Sequence, residues 1–178
     1  VVLSRGLGDV YKRQQLCLMT AQIANGGYKI YPKIVANDDN QYADKFTPLY
    51  KKSRNIKIVQ DAMFSSTNEV RGTSYRSRLD DPKYRFAGKT GTSQVKKITE
   101  LDRELDLKTF QIPYEERDHA LYVAFGPYKS PRYALSIIIE HGGSGGTVAA
   151  PLAKKLFKMI IDRHEIRKNY DNKKYLDI

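Results

Sequence analysis

The sequence predicts an α+β fold, an antiparallel sheet with helices packed on it. Three observations carry that prediction. Apolar periodicity reads helix, extended segment, helix, three strands, helix along the chain, without the regular β-α alternation that a parallel sheet requires. Two β-rich runs, "HALYVAFGPY" (119–128) and "RYALSIIIEH" (132–141), are separated only by Lys129-Ser130-Pro131, the short connection of a hairpin. Of 178 residues, 40% are hydrophobic and 29% charged, which supplies one domain with a core of its own.

The first fourteen residues, "VVLSRGLGDVYKRQ", have no amphipathic period. They resemble translated sequencing-adapter or vector sequence and are expected to be a non-native leader outside the fold. From Gln15, Leu16, Met19 and Ile23 recur at helical spacing and the run closes on Asn25-Gly26-Gly27, a helix stop. "YKIYPKIV" (28–35) is β-branched and aromatic, but Pro32 confines it to an edge strand or extended segment. Polar residues 37–55 form a connection. A second helix is expected over about 56–68, with Ile58, Val59, Ala62 and Met63 as its apolar stripe. The turn-rich "VRGTSYRSRLDDPKYR" leads into a strand from Tyr84 to Val95, and the charged residues 97–118 read as a surface insertion. After the hairpin and the glycines of 142–146, a final helix is expected from about Val148 to Arg163, with Pro151 in its first turn, where a missing N–H is tolerated. Residues 165–178 read as a polar tail.

Composition excludes several function classes. The single cysteine, Cys17, rules out an internal disulfide and a multi-cysteine metal site, and reads as a small buried residue. His119, His141 and His164 have no metal-ligand spacing, so a zinc site is not expected. The net charge of +11 would suit an anionic partner. The cations come instead as scattered pairs (Lys51-Lys52, Lys96-Lys97, Lys154-Lys155, Lys173-Lys174) mixed with acids and without a nucleic-acid motif, so a solvated basic surface and no nucleic-acid partner are expected. No run of about 18 apolar residues is present and the start lacks the design of a signal peptide, so any membrane anchor is expected outside this chain. "HGGSGG" (141–146) matches neither a dinucleotide fingerprint nor a P-loop and reads as a tight strand-to-helix turn.

"FAGKTGTSQVKK" (86–97) holds two overlapping motifs. Ser93-Gln-Val-Lys96 matches S-x-x-K, whose serine needs the lysine beside it. A helix arranges that contact, whereas a strand puts residues three apart on opposite faces and roughly 10 Å apart. Gly88, Thr90, Gly91 and Thr92 disfavour helix, so this match is taken as chance. Lys89-Thr90-Gly91-Thr92 survives the same test. Lys89 offers a fixed positive charge, Thr90 and Thr92 offer hydroxyls, and unpaired backbone N–H groups of an edge strand can donate to an oxyanion. The glycines around Lys89-Thr90 suit a ligand lying close along the backbone, and a glycine-rich edge strand with a solvated lysine is the reading the tetrapeptide alone favours.

"QLCLMTAQIANGG", "GTSYRS", "AGKTGTSQV", "RDHALYVAFGPY", "RYALSIIIEHGGSGG" and "AAP", in this order, resemble the C-terminal part of the transpeptidase domain of class B penicillin-binding proteins, most closely the elongation type. The resemblance covers residues 15–164. It implies the penicillin-binding transpeptidase and serine β-lactamase-like fold, no cofactor, and a peptidoglycan D,D-transpeptidase, in which a serine attacks the D-Ala-D-Ala carbonyl of a stem peptide. Lys89, Thr90, Gly91 and Thr92 would bind substrate or β-lactam, and the Thr92 N–H would be an oxyanion donor. The family's S-x-x-K and S-x-N motifs lie well upstream of K-T-G. Ser53-Arg-Asn55 and Ser66-Thr-Asn68 match S-x-N by letter but sit too close, so the chain is expected to be a part without the nucleophile. The family also implies a membrane-embedded glycan polymerase of the elongation machinery as partner, and the periplasmic face of the inner membrane as location, through an N-terminal anchor absent from this chain. The rival readings are a serine β-lactamase-like hydrolase, which shares K-T-G, and a non-catalytic basic binding module.

Overall fold

The computed structural model describes residues 4–32, 34, 47–50, 53–96, 104 and 107–174. Its centre is an antiparallel sheet in the order β1-β2-β3, comprising β1 (Ala87–Ser93), β2 (His119–Gly126) and β3 (Tyr133–Ile139). Helices α1 (Ser4–Ala24) and α2 (Ser53–Asn68) pack on one face and α3 (Ala150–Lys174) on the other. The α+β architecture is the one the sequence predicts.

Strand alternation explains the two cores. Ala120, Tyr122 and Ala124 alternate on β2, and with Phe86 they meet Ala150, Ala153 and Phe157 of α3, all fully buried. Phe86 and Phe157 stack with ring centroids 4.8 Å apart, and burying each contributes about 2–3 kcal/mol. On the opposite face Ala87 and Phe125 pack on Met63 of α2, with Ile23 and Ala24 of α1 at the rim. Cys17 on α1 is half-buried, with its Sγ 3.5 Å from the Ala134 carbonyl. Burial raises the pKa of this thiol, which keeps it protonated and unreactive.

Several elements differ from expectation. Helix α1 begins at Ser4, inside the stretch read as a leader. Thr20 is fully buried, its hydroxyl returning to the Leu16 carbonyl at 2.7 Å, while Met19 is 40% exposed. Helix α2 begins at Ser53, and its stripe is phased differently. Ile56, Met63 and Thr67 are buried, while Ile58 is 58% exposed and Val59 40%. The inward face carries polar Gln60 and Thr67, whose polar atoms find partners at the Ile23 carbonyl (2.7 Å) and the Tyr122 hydroxyl (3.0 Å), so hydrophobicity alone misplaced it. Tyr28 makes a single bridge to Pro48 in place of a strand, and much of 33–46 and 51–52 lies outside the described residues.

Strand β1 is shorter than the expected 84–95. A turn holds Tyr84, its N–H bonding the Asp81 carbonyl at 3.0 Å, and pairing ends at Ser93 opposite His119, where β2 starts. The hairpin strands form as expected. The last helix starts earlier, with a wide π-type turn over Gly145–Ala149 in which the Ala150 N–H reaches the Gly145 carbonyl. Pro151 lacks an N–H to continue the tighter ladder there. Helix α3 then runs to Lys174, through much of the stretch read as a polar tail. The second half of the insertion forms two short 3₁₀ turns, Thr109–Gln111 and Tyr114–Glu116, whereas 97–103 and 105–106 lie outside the described residues.

Candidate active site

The free edge of β1 carries the site residues predicted from sequence. On a strand, a residue's N–H and C=O point to the same side, and successive residues alternate. The Arg85 carbonyl accepts from the Tyr128 N–H at 2.7 Å, on the hairpin side. The carbonyls of Phe86, Gly88 and Thr90 face the other way. They accept from Asn68 Nδ2 (2.9 Å), Thr67 Oγ1 (3.4 Å) and Lys89 Nζ (2.8 Å). By the same alternation the Thr92 N–H lies on the free edge.

Helix α2 therefore closes the first half of this edge with Thr67 and Asn68. Among the described residues, no α2 side chain reaches the backbone beyond Gly88. The Lys89 side chain is exposed and folds along the open half, its ammonium also 3.3 Å from Thr90 Oγ1. An ammonium, two hydroxyls and an outward N–H thus converge on four consecutive residues. Chemically, such an edge can hold a carboxylate and donate to a developing oxyanion.

Beneath the edge lies a buried polar network absent from the sequence reading. Tyr122 Oη sits 3.0 Å from Thr67 Oγ1 and 2.9 Å from Ser74 Oγ, and these three side chains are at most 1% exposed. Ser74 also ties its N–H and Oγ to the Ser66 carbonyl, each at 3.1 Å. Burial raises the Tyr122 pKa, and the bonds from Ser74 and Thr67 partly oppose the shift. The available signal was Ser74 in "GTSYRS", hidden because a serine in a polar, turn-rich stretch looks like surface.

This network corrects the account of the glycines. A Cβ at Gly88 would lie 2.3 Å from Tyr122 Oη, and one at Gly91 would lie 3.2 Å from Leu121 Cβ. Gly145 packs on the strand, where a Cβ would be 2.3 Å from the Leu121 carbonyl and 2.7 Å from that of Gly91. Internal packing, rather than a ligand approaching the backbone, accounts for Gly88 and Gly145, and it leaves little room for a side chain at Gly91.

The S-x-x-K match is not assembled. Ser93 ends β1, and Lys96, beyond the strand, pairs with Glu116 at 2.8 Å. Asn68 of the second S-x-N match is committed to the Phe64 and Phe86 carbonyls. Its Ser66 nevertheless comes 3.2 Å from Thr73 Oγ1, which is in turn 3.2 Å from Thr90 Oγ1, a proximity sequence spacing did not suggest. Two histidines 22 residues apart in sequence also meet. His119 Nδ1 accepts the His141 N–H at 2.9 Å and their rings lie 4.8 Å apart. That bond holds His141 at φ 55° and shapes the turn into Gly143. Among the described residues, no three His, Cys, Asp or Glu side chains form a metal-binding group, and no helix is long and apolar enough to cross a membrane.

Comparison with known proteins gives consistent matches. The family described as "Penicillin binding protein transpeptidase domain" matches residues 2–158. The peptidoglycan D,D-transpeptidase MrdA of Salmonella typhimurium is 33% identical in an alignment covering 90% of this chain and 27% of that protein. The chain thus spans about a quarter of the length of such relatives. Among solved structures, the complex between penicillin-binding protein PBP2 and MreC from Helicobacter pylori superposes with a TM-score of 0.63 and 26% identity, covering 82% of this chain and 24% of its counterpart. Pseudomonas aeruginosa PBP2 in complex with WCK 5153 gives 0.59 and 30%, covering 79% and 28%.

Proposed function

The chain belongs to the penicillin-binding protein transpeptidase domain family, and on that premise we propose that it is the C-terminal part of the transpeptidase domain of an elongation-type peptidoglycan D,D-transpeptidase. The observation that carries this reading is the open half of the β1 edge, where the Lys89 ammonium lies against the Thr90 carbonyl and hydroxyl and strand alternation turns the Thr92 N–H outward.

In this reading, a serine outside these 178 residues attacks the carbonyl of the penultimate D-Ala of a stem peptide. Its proton passes to a neighbouring base, and the developing oxyanion takes a hydrogen bond from the Thr92 N–H. Collapse breaks the peptide bond, and the terminal D-Ala leaves as the protonated amine. The amine of a second stem peptide then attacks the ester, forms the cross-link and regenerates the serine. Lys89 holds the terminal carboxylate, with Thr90 and Thr92 donating hydroxyl hydrogen bonds. A β-lactam enters by the same contacts and leaves its opened ring on the serine.

We place the protein at the periplasmic face of the inner membrane, with an anchor outside these residues, among the elongation machinery. A membrane-embedded glycan polymerase and an MreC-like protein are its proposed partners, the latter because a solved relative is bound to MreC. The test uses the full-length protein and a fluorescent penicillin. Stoichiometric labelling that persists for many minutes, with D-Ala released from a pentapeptide substrate, is the expected result. Rapid turnover of the drug would indicate a β-lactamase, and no labelling would leave a non-catalytic module.

A further inference from the structure

Thr90 stands at the end of a chain of hydroxyls that the reaction scheme leaves unused. Ser66 Oγ lies 3.2 Å from Thr73 Oγ1, and Thr73 Oγ1 lies 3.2 Å from Thr90 Oγ1. Lys89 Nζ is 3.3 Å from the same Thr90 oxygen. An ammonium can only donate, so Lys89 occupies one acceptor position of Thr90. The direction of the remaining protons decides what Thr90 can offer. If they run from Ser66 through Thr73 to Thr90, Thr73 fills the second acceptor position and the Thr90 proton is released toward the open edge. If they run the other way, the Thr90 proton is spent on Thr73. A carboxylate on the edge accepts and never donates, so it selects the first direction, and each bond in such a chain strengthens the next.

Thr73 is also anchored independently of any ligand. The Gly146 backbone closes over it, so that a Cβ there would lie 2.7 Å from the Thr73 carbonyl. The adjacent Ser74 is held by its bonds to Ser66 and Tyr122. Thr73 is thus a fixed point, and Thr90 is oriented against it. We propose that Thr73, backed by Ser66, is a positioning residue that turns the Thr90 hydroxyl into a donor aimed at the ligand carboxylate. The proposal rests on the transpeptidase reading of the site. In this role Thr73 acts through Thr90 rather than on the ligand directly.

The test compares a penicillin with its methyl ester, whose blocked carboxylate can no longer be recognised as an anion. Second-order acylation rates are measured on the full-length wild type and on Lys89→Ala, Thr73→Val, Thr73→Ser and Ser66→Ala, with thermal melting of each. Losing one aligned hydrogen bond, Thr73→Val lowers the free-acid rate about tenfold and leaves the slow ester rate within about twofold. Thr73→Ser restores the free-acid rate, and Ser66→Ala, further from the ligand, costs about threefold on the free acid alone. Equal losses on acid and ester would show a merely structural role and overturn the proposal, as would an unchanged free-acid rate in Thr73→Val or a Thr73→Ser no better than Val. Should Thr73→Val fail to fold, Ser66→Ala decides by the same comparison. Absence of acylation in the wild type, or indifference to Lys89→Ala, would sink the transpeptidase reading instead. A normal Lys89 effect beside an indifferent Thr73 sinks only the positioning role.

Discussion

Replacing Gly88 by alanine tests how tightly the candidate site is tied to the core beneath it. The added Cβ would lie 2.3 Å from Tyr122 Oη, 2.6 Å from its Cζ and 2.7 Å from Cε1. Ordinary contact needs about 3.5 Å, so the ring must retreat by more than 1 Å or the strand must lift. Tyr122 is fully buried, so its ring can move only by displacing its neighbours. Overpacking of this kind costs about 1–3 kcal/mol. Displacing the hydroxyl also breaks its bonds to Thr67 and Ser74, and each lost buried bond adds about 1 kcal/mol. Together they predict a loss of about 3–5 kcal/mol. Urea unfolding of the full-length protein, followed through the transition of this domain, measures it from the shift in midpoint. Tyr122→Phe removes the same two bonds, so the double variant should cost less than the sum of the two single changes, by about 1 kcal/mol or more. A Gly88→Ala variant within about 0.5 kcal/mol of wild type, or strict additivity with Tyr122→Phe, would refute this packing argument.

Three further outcomes are expected. Burial holds the Tyr122 pKa above its ordinary value of 10.0, so the unfolded chain ionises first, and the stabilisation from this residue is intact below about pH 10 and lost as pH rises beyond it. The stability gap between wild type and Tyr122→Phe should therefore narrow above about pH 10, and a constant gap in urea unfolding would contradict this. Asn68→Ala leaves the carbonyl of buried Phe86 without its 2.9 Å partner, which should cost about 1–3 kcal/mol by the same assay. Glu116→Ala removes an ion pair whose side chains are 43% and 47% exposed. Stability should change by less than about 1 kcal/mol, and penicillin acylation should not change.

The sheet and the β1 motif were legible because both rest on local rules. The hairpin follows from two β-rich runs three residues apart, and the S-x-x-K match failed on strand geometry before any contact was seen. What stayed hidden depends on tertiary partners. Thr20, Thr67 and Ser74 are buried hydroxyls whose bonds make burial affordable, and nothing in their identity announces those partners. The same effect misphased α2, where Gln60 and Thr67 face inward while Ile58 and Val59 do not. Gly88 and Gly91 were noticed, but their cause, Tyr122 and Leu121 on the neighbouring strand, could be seen only once the register was known.

The central claim is that the β1 edge binds a carboxylate and stabilises an oxyanion through Lys89 and the Thr92 N–H, while Ser93 is a bystander. The direct measurement is the second-order rate of penicillin acylation in full-length variants whose melting shows them folded. Lys89→Ala should lower it by roughly 10² to 10³, the range for losing one preorganised electrostatic contact. Thr92→Pro, which deletes the edge N–H, should be comparably damaging. Thr92→Ser keeps both N–H and hydroxyl and should be mild, and Ser93→Ala should retain most activity. Acylation abolished in Ser93→Ala but intact in Lys89→Ala would contradict the account.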